Sequence, residues 1–434
     1  MATKDRLKYR LFALIALLIL PNTQLLAAMT TGAIPVQVLS DNQRFTMMRG
    51  GEPYYIKGAG VRTQHMERLA IAGGNSVRTW SAANAETVLD EAHRLGLTVT
   101  LGLWVQTEQS GFDYDDGEAI AQQLRRFTET VTKFKDHPAL LMWGIGNEVN
   151  LGYSNSKVWD AIEEIAVMID SLDGNHPTMT VLAGMPRDDI QLIKEKCTHI
   201  DILGINAYAA LPKVPEKIRE YGWDRPYVVT EWGPNGYWEV STASWGAAYE
   251  LSSTDKAAIY RDRYENVILD DSDRNLGSYV FFWGFKHEWT PTWFGLFMQD
   301  GVSTPVVDTM EYLWRGSWPE NRAPQIGALQ LDGLVAGDQG IQLDASNSYQ
   351  ANASVIDLEG DSLRLNWAIH REYVGAGAGG DLEKLVEKPA LSSVNGEGVL
   401  RFTAPTQPGA YRLYLYAYDN NNHVATANIP FYVN

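Results

Sequence analysis

LLMWGIGNEV, residues 140–149, is a nearly unbroken apolar run that ends in two polar residues, Asn147 and Glu148. So continuous a run suits a parallel strand covered on both faces. Seven other runs share its character: YYIKGAGV (54–61), GNSVRTW (74–80), LTVTLGLWV (97–105), TMTVLAG (178–184), IDILGINAY (200–208), PYVVTEWG (226–233) and GSYVFFWG (277–284). Stretches of helical periodicity separate them, among them 85–97, 156–174, 187–197 and 254–271. In the first, Val88, Leu89, Ala92 and Leu95 share one face, and Gly174 is a natural stop for the second. Eight strand-then-helix units predict an α/β fold, a (β/α)8 TIM barrel over residues 34–322. The segment 36–56 reads as an N-terminal hairpin that covers the barrel bottom.

The rhythm changes near residue 323. From there to 434, apolar residues alternate with period two. Leu363, Leu365, Trp367 and Ile369 share a face, as do Tyr411, Leu413, Leu415 and Ala417. Turn signals (331–340, 357–361, 419–423) separate the runs. The expectation is an immunoglobulin-like β-sandwich of about seven strands following the barrel, with the Gly-rich stretch 375–384 as a crossover. Tyr414, Tyr416 and Tyr418 line the opposite face of their strand, as a carbohydrate platform or as an interface with the barrel. The acidic loops DYDDGE (113–118) and DLEGD (357–361) read as a solvated loop and a hairpin turn rather than as calcium sites.

Residues 1–28 carry four basic groups followed by the apolar run Leu11 to Leu20, the layout of a signal peptide. Export to a bacterial periplasm or exterior is expected, with no stable membrane insertion after cleavage. Cys197 is the only cysteine, so no intrachain disulfide forms. A net charge of −17 argues against nucleic acid as a partner. Fourteen Trp and 21 Tyr are many for one chain, and such rings suit sugar faces as well as cores.

A barrel enzyme places its reactive groups at the C-terminal ends of its strands. The second strand ends in Arg78-Thr79-Trp80 and the fourth in Asn147-Glu148. The sixth ends in Asn206-Ala207-Tyr208, the seventh in Glu231-Trp232-Gly233 and the eighth in Phe282-Trp283-Gly284. Two carboxylates thus face each other across one rim, as glycoside hydrolysis requires. Arg78 and Tyr208 are placed to hydrogen-bond Glu231. The loop after the eighth strand adds Lys286, His287, Glu288 and Trp289, and Glu288 is the rival carboxylate. Neither a metal nor a cofactor is called for.

On these motifs the chain resembles clan A glycoside hydrolases, which carry their acid/base and nucleophile after strands four and seven. Asn147-Glu148 and Thr230-Glu231-Trp232-Gly233 are similar to the clan's two catalytic motifs. Family 2 β-glycosidases share these and the Asn-x-Tyr of 206–208. Fungal β-1,3-glucanosyltransferases share Ile-Lys-Gly (56–58) and Gly-Asn-Glu-Val (146–149). Val149 departs from the Pro that many clan members carry there, and the N-terminal sandwich domains of full-length family 2 enzymes have no counterpart. The resemblance implies a retaining β-glycosidase acting on a neutral β-linked oligo- or polysaccharide, β-glucan above others, by double displacement. Glu148 would be acid/base and Glu231 nucleophile. Arg78, Trp80, Asn147, Tyr208, Trp232, Trp283, His287 and Trp289 would bind substrate. A β-glucan transglycosylase with the same residues, or a non-catalytic carbohydrate-binding protein, are the alternatives. Every candidate catalytic group lies before residue 300, so the C-terminal segment is expected to be dispensable for the chemical step.

Overall fold

The computed structural model describes residues 32–337, 340–372 and 398–434. The stretch read as a signal peptide and the 375–384 crossover lie outside them. Eight parallel strands close into a barrel: Ile56–Gly60, Ser76–Arg78, Thr98–Leu103, Leu140–Ile145, Thr178–Ala183, Ile202–Asn206, Tyr227–Trp232 and Asn275–Val280. Each falls within or overlaps its expected run, and the eighth pairs with the first to complete the ring. Helices follow the strands, the longest being Gly117–Phe134 and Lys157–Leu172. Among the described residues, no helix is long and apolar enough to cross a membrane.

Two apolar layers hold the barrel. The outer one lies between strands and helices and includes Val99, Leu101, Trp143, Ile162, Ile165 and Ile169, all essentially without exposure. Trp143 also satisfies its indole N–H on Asp173 at 2.8 Å. Cys197 lies in this layer, and burial pushes its thiol up to about 12, as befits an inert small hydrophobe. The second layer fills the barrel's lower interior with Leu141, Met179, Val181, Ile202, Val228 and Tyr279.

The hairpin Val36–Asp41 and Arg44–Arg49 does cover the bottom. Val36, Phe45 and Met47 join the interior layer. Backbone bonds Val36 N to Asn175 O (2.7 Å) and Phe45 N to Asp273 O (2.8 Å) fasten it to the turns that precede the fifth and eighth strands. The acidic loop at 113–118 proves to be a helix start. Asp116 accepts from the amides of Glu118 and Ala119 and caps Gly117–Phe134.

Among its described residues, the C-terminal segment forms two four-stranded sheets and a two-stranded ladder. In one sheet, Arg364–Arg371, Gly409–Tyr418 and Val424–Val433 run antiparallel in turn, and Ile341–Leu343 pairs parallel to the last. Leu365, Trp367, Leu413, Leu415, Ala417 and Phe431 meet Leu331, Leu400 and Phe402 of the other sheet in one apolar layer. The period-two faces are those read from sequence. These sheets do not amount to a clear closed immunoglobulin-like sandwich, because several strands are only two or three residues long.

A glycine stands where the eighth strand meets the first. Gly277 has φ +122°, and a Cβ there would stand 2.2 Å from Ile56 O, backbone that cannot move without breaking the first-to-eighth strand pairing. Gly277→Ala is therefore expected to destabilise the fold by about 2–4 kcal/mol, read as a lowered midpoint in urea. A midpoint equal to wild type contradicts this account of closure.

Candidate active site

The C-terminal rim gathers side chains from five strands. Arg78 extends the second strand and is 2 % exposed. A buried guanidinium needs acceptors. It finds Glu231 Oε1 at 2.9 Å, Thr230 O at 3.2 Å and Asn147 Oδ1 at 2.6 Å. Glu231 accepts two further bonds: from Trp80 Nε1 to Oε1 at 2.7 Å, and from Tyr208 OH to Oε2 at 3.0 Å. Glu231 is 6 % exposed, so all three donors act with little competition from water. Burial beside this carboxylate drives the Tyr208 hydroxyl well above its ordinary range, and it stays a donor.

Glu148 is treated differently. Asn206 Nδ2 donates to its Oε1 at 2.9 Å and also reaches Asn147 Oδ1 at 3.2 Å. Thr230 Oγ1 holds Asn206 in place by donating to its Oδ1 at 2.7 Å. Desolvation, followed by the charge of Glu231, raises the Glu148 carboxyl to about 7. Two carboxyl groups on one network thus have distinct environments: one accepts three strong donors and the other is poised to hold a proton near neutrality.

Backbone geometry aims the second group. Gly146 has φ +74° and Glu148 itself has φ +52°. A non-glycine residue in this left-handed region is strained, and such strain gathers at functional sites. The bend turns Asn147 and Glu148 out of the strand's alternation and over the barrel mouth. Trp289, in the loop after the eighth strand, has φ +62° as well.

The aromatic wall differs from expectation in part. Trp80 serves as a donor to Glu231, with its ring against Arg78, Phe281 and Phe282. Trp289 stacks on Tyr237 with centroids 4.8 Å apart. Trp232 and Trp283 are not at the mouth. Trp232 points outward from its strand, fully buried against Tyr260 and Tyr264. Trp283 is buried between Phe297 and Trp314 and donates to His65 O at 3.0 Å. Both belong to the core and have no face for a sugar. His287 is half-buried; burial, then the charge of His370 in the C-terminal sheet, lowers its pKa. Glu288 pairs with Lys286 at 3.2 Å, and its charge reaches Glu148 and Tyr208.

Sequence reading missed Asn206 as a site residue, although it stands at a strand end beside Tyr208. It also missed Trp238, which is 49 % exposed and meets Tyr208 edge-on at 5.6 Å. Trp104, 42 % exposed, immediately follows the third strand. Away from the mouth, Tyr414 is buried close to Glu250 of the barrel, so that tyrosine face is an interface. Asp357, Asp361 and Asp419 offer oxygens within 4.8 Å of one another. Asp357 accepts from the amides of Glu359 and Asp361 in a turn, and Asp361 accepts from Asn321 and Asn421.

Comparison with known proteins bears on the barrel. The model of the glycosyl hydrolases family 2 TIM barrel domain matches residues 52–236. A β-galactosidase of Bacteroides ovatus is 24 % identical over 333 residues, covering 61 % of this chain and 37 % of that protein. A β-glucuronidase of Paenibacillus borealis is 22 % identical over 270 residues, covering 54 % and 43 %. The chain thus spans about two fifths of the length of these curated relatives. The crystal structure of an FMN-binding β-glucuronidase from Faecalibacterium prausnitzii superposes with a TM-score of 0.50 at 14 % identity, over 92 % of this chain and 59 % of that one. The barrel has a glycoside hydrolase family 2-like fold, related to those of bacterial family 2 enzymes.

Proposed function

We propose that this protein is a retaining β-glycosidase acting on a neutral β-linked oligo- or polysaccharide, with β-glucan the favoured class. The observation that carries the reading is the pairing of Glu148 and Glu231 on one network with opposite surroundings. One carboxylate accepts from three donors, and desolvation raises the other to about 7; surroundings this different assign the nucleophile and the acid. Glu231, oriented by Arg78, Trp80 and Tyr208, attacks the anomeric carbon. Glu148 gives its proton to the departing glycosidic oxygen. The same carboxylate then takes a proton from water, which displaces Glu231 and releases the sugar with its configuration kept. Asn206, which donates to Glu148, and Asn147, which accepts from Arg78 and Asn206, stand at the same mouth and can meet a ring hydroxyl there. Transfer to a sugar acceptor in place of water is the second reading. It is favoured by the exposed ring of Trp238 beside Tyr208, which offers an acceptor sugar a flat apolar surface.

Three further readings belong to this proposal: kinship with the wider clan A and the fungal glucanosyltransferases, an immunoglobulin-like class for residues 323–434, and export after removal of residues 1–28. The first rests on the strand-end motifs, the second on the alternating sheets and the third on the basic and apolar leader.

Removing the nucleophile while leaving the acid tests the core of the reading. Glu231→Ala should abolish turnover of an aryl β-glycoside, and azide should restore part of it with a glycosyl azide as product. Near-normal turnover by the purified variant rejects the assignment.

The acid has its own signature. Glu148 must be protonated to act, so kcat/KM on substrates with poor leaving groups should fall as pH rises through about 7. The Asn206 amide favours the charged form of Glu148. Asn206→Ala should therefore raise the carboxyl's pKa and move this falling limb to higher pH. A limb that stays put, or moves down, removes Glu148 from the role.

A further inference from the structure

Four charged side chains lie buried where the barrel meets the C-terminal sheet. Glu250, in the connection after the seventh barrel strand, pairs with Lys256 at 2.5 Å, and Arg412 pairs with Glu372 at 2.8 Å. None of the four side chains is more than 5 % exposed. Asn428, on the strand Val424–Val433, joins the two pairs. Its Nδ2 donates to Glu250 Oε2 at 2.7 Å and its Oδ1 accepts from Arg412 Nη1 at 2.6 Å. Arg412 also reaches across to Ala248 O at 2.7 Å. Two positive and two negative charges cancel within one closed network.

The network also holds the loop after the eighth barrel strand. Thr290 Oγ1 donates to Glu250 Oε2 at 2.6 Å, and Thr292 Oγ1 donates to Glu250 Oε1 at 2.8 Å. Lys256 Nζ donates to Thr292 O at 2.7 Å. That loop carries Glu288, Trp289 and Phe294. Phe294 meets Tyr208 with centroids 5.4 Å apart. Trp289 reaches Tyr208 through a chain of rings: it stacks on Tyr237, which meets Trp238 at 4.9 Å, which meets Tyr208 at 5.6 Å. Tyr208 in turn donates to Glu231. A buried ion pair adds little net stability, and its best-attested use is to fix one arrangement out of several.

We propose that the C-terminal sheet is a positioning element of the active site, with Asn428 and Arg412 acting through Glu250 to set the 286–294 loop and the aromatic wall behind Tyr208 and Glu231. The inference rests on the glycosidase reading for its kinetic consequence only. It reverses the expectation that the sheet is dispensable for the chemical step. Displacing a catalytic constellation by 1 Å from a distance is enough to cost about 10²-fold in rate.

The test uses the full chain with Asn428→Leu and Thr290→Val, each close in shape to the native residue but without its hydrogen bond to Glu250. Thr290→Ser, which keeps the hydroxyl, is the conservative control. Amide hydrogen exchange in 286–294 should accelerate in the first two variants, while the fourth barrel strand exchanges as in wild type. On an aryl β-glycoside, kcat should fall about tenfold or more with KM less affected, and Thr290→Ser should restore it. Should Asn428→Leu not fold, Thr290→Val carries the test from the barrel side. Unchanged loop exchange with kcat within twofold of wild type, even alongside a lowered melting temperature, overturns the proposal and leaves the network a purely structural seam. A wild-type protein inert on every glycoside defeats the glycosidase reading instead, and loop exchange then decides the positioning claim alone.

Discussion

The guanidinium of Arg78 sits at the end of the second barrel strand with almost no access to solvent. A cation in that place requires an anion and further acceptors. Glu231 and Thr230 from the seventh strand and Asn147 from the fourth supply them. Three strands that are not neighbours in the barrel are thereby fixed to one another across its mouth. Asn206 from the sixth strand extends the lattice to Glu148. The positions of both carboxyl groups follow from satisfying this single buried charge, together with the left-handed bend at Glu148.

Chemical differentiation then comes from surroundings rather than residue type. Glu231 accepts from a cation, an indole and a phenol. Glu148 has one amide donor, loses hydration and faces the negative charge of Glu231, which raises its carboxyl to about 7. On the proposed reading, that difference is what makes one glutamate the nucleophile and the other the acid. The second barrel wall, from Tyr208 through Trp238 to Trp289, gives this pair its apolar flank.

Much of this was legible in the chain. Eight apolar runs located eight strands, because parallel strands covered on both faces leave no polar alternation to misread. Their polar ends located Arg78, Asn147, Glu148, Tyr208 and Glu231. The errors have a physical cause. Period-two alternation puts Trp232 on the face opposite Glu231, so it belongs between strand and helix. Trp283 lies past the end of its strand, where the chain has already turned back into the core. Asn206 shares the mouth with Tyr208 by the same alternation, two residues apart. What no local pattern reveals is the bond from Asn428 to Glu250, which joins residues 178 apart in sequence. The short strands between 325 and 356 depend on cross-sheet packing rather than on any run of their own.

In the proposed reaction Glu231 forms a covalent bond to the sugar while Glu148 serves first as acid and then as base. Two successive displacements at the anomeric carbon restore its configuration. Proton NMR of the first product formed from a β-glycoside, recorded before mutarotation, reads this outcome directly. The account predicts the β anomer appearing first. The α anomer appearing first contradicts it, since a single displacement leaves no step in which Glu231 is a nucleophile.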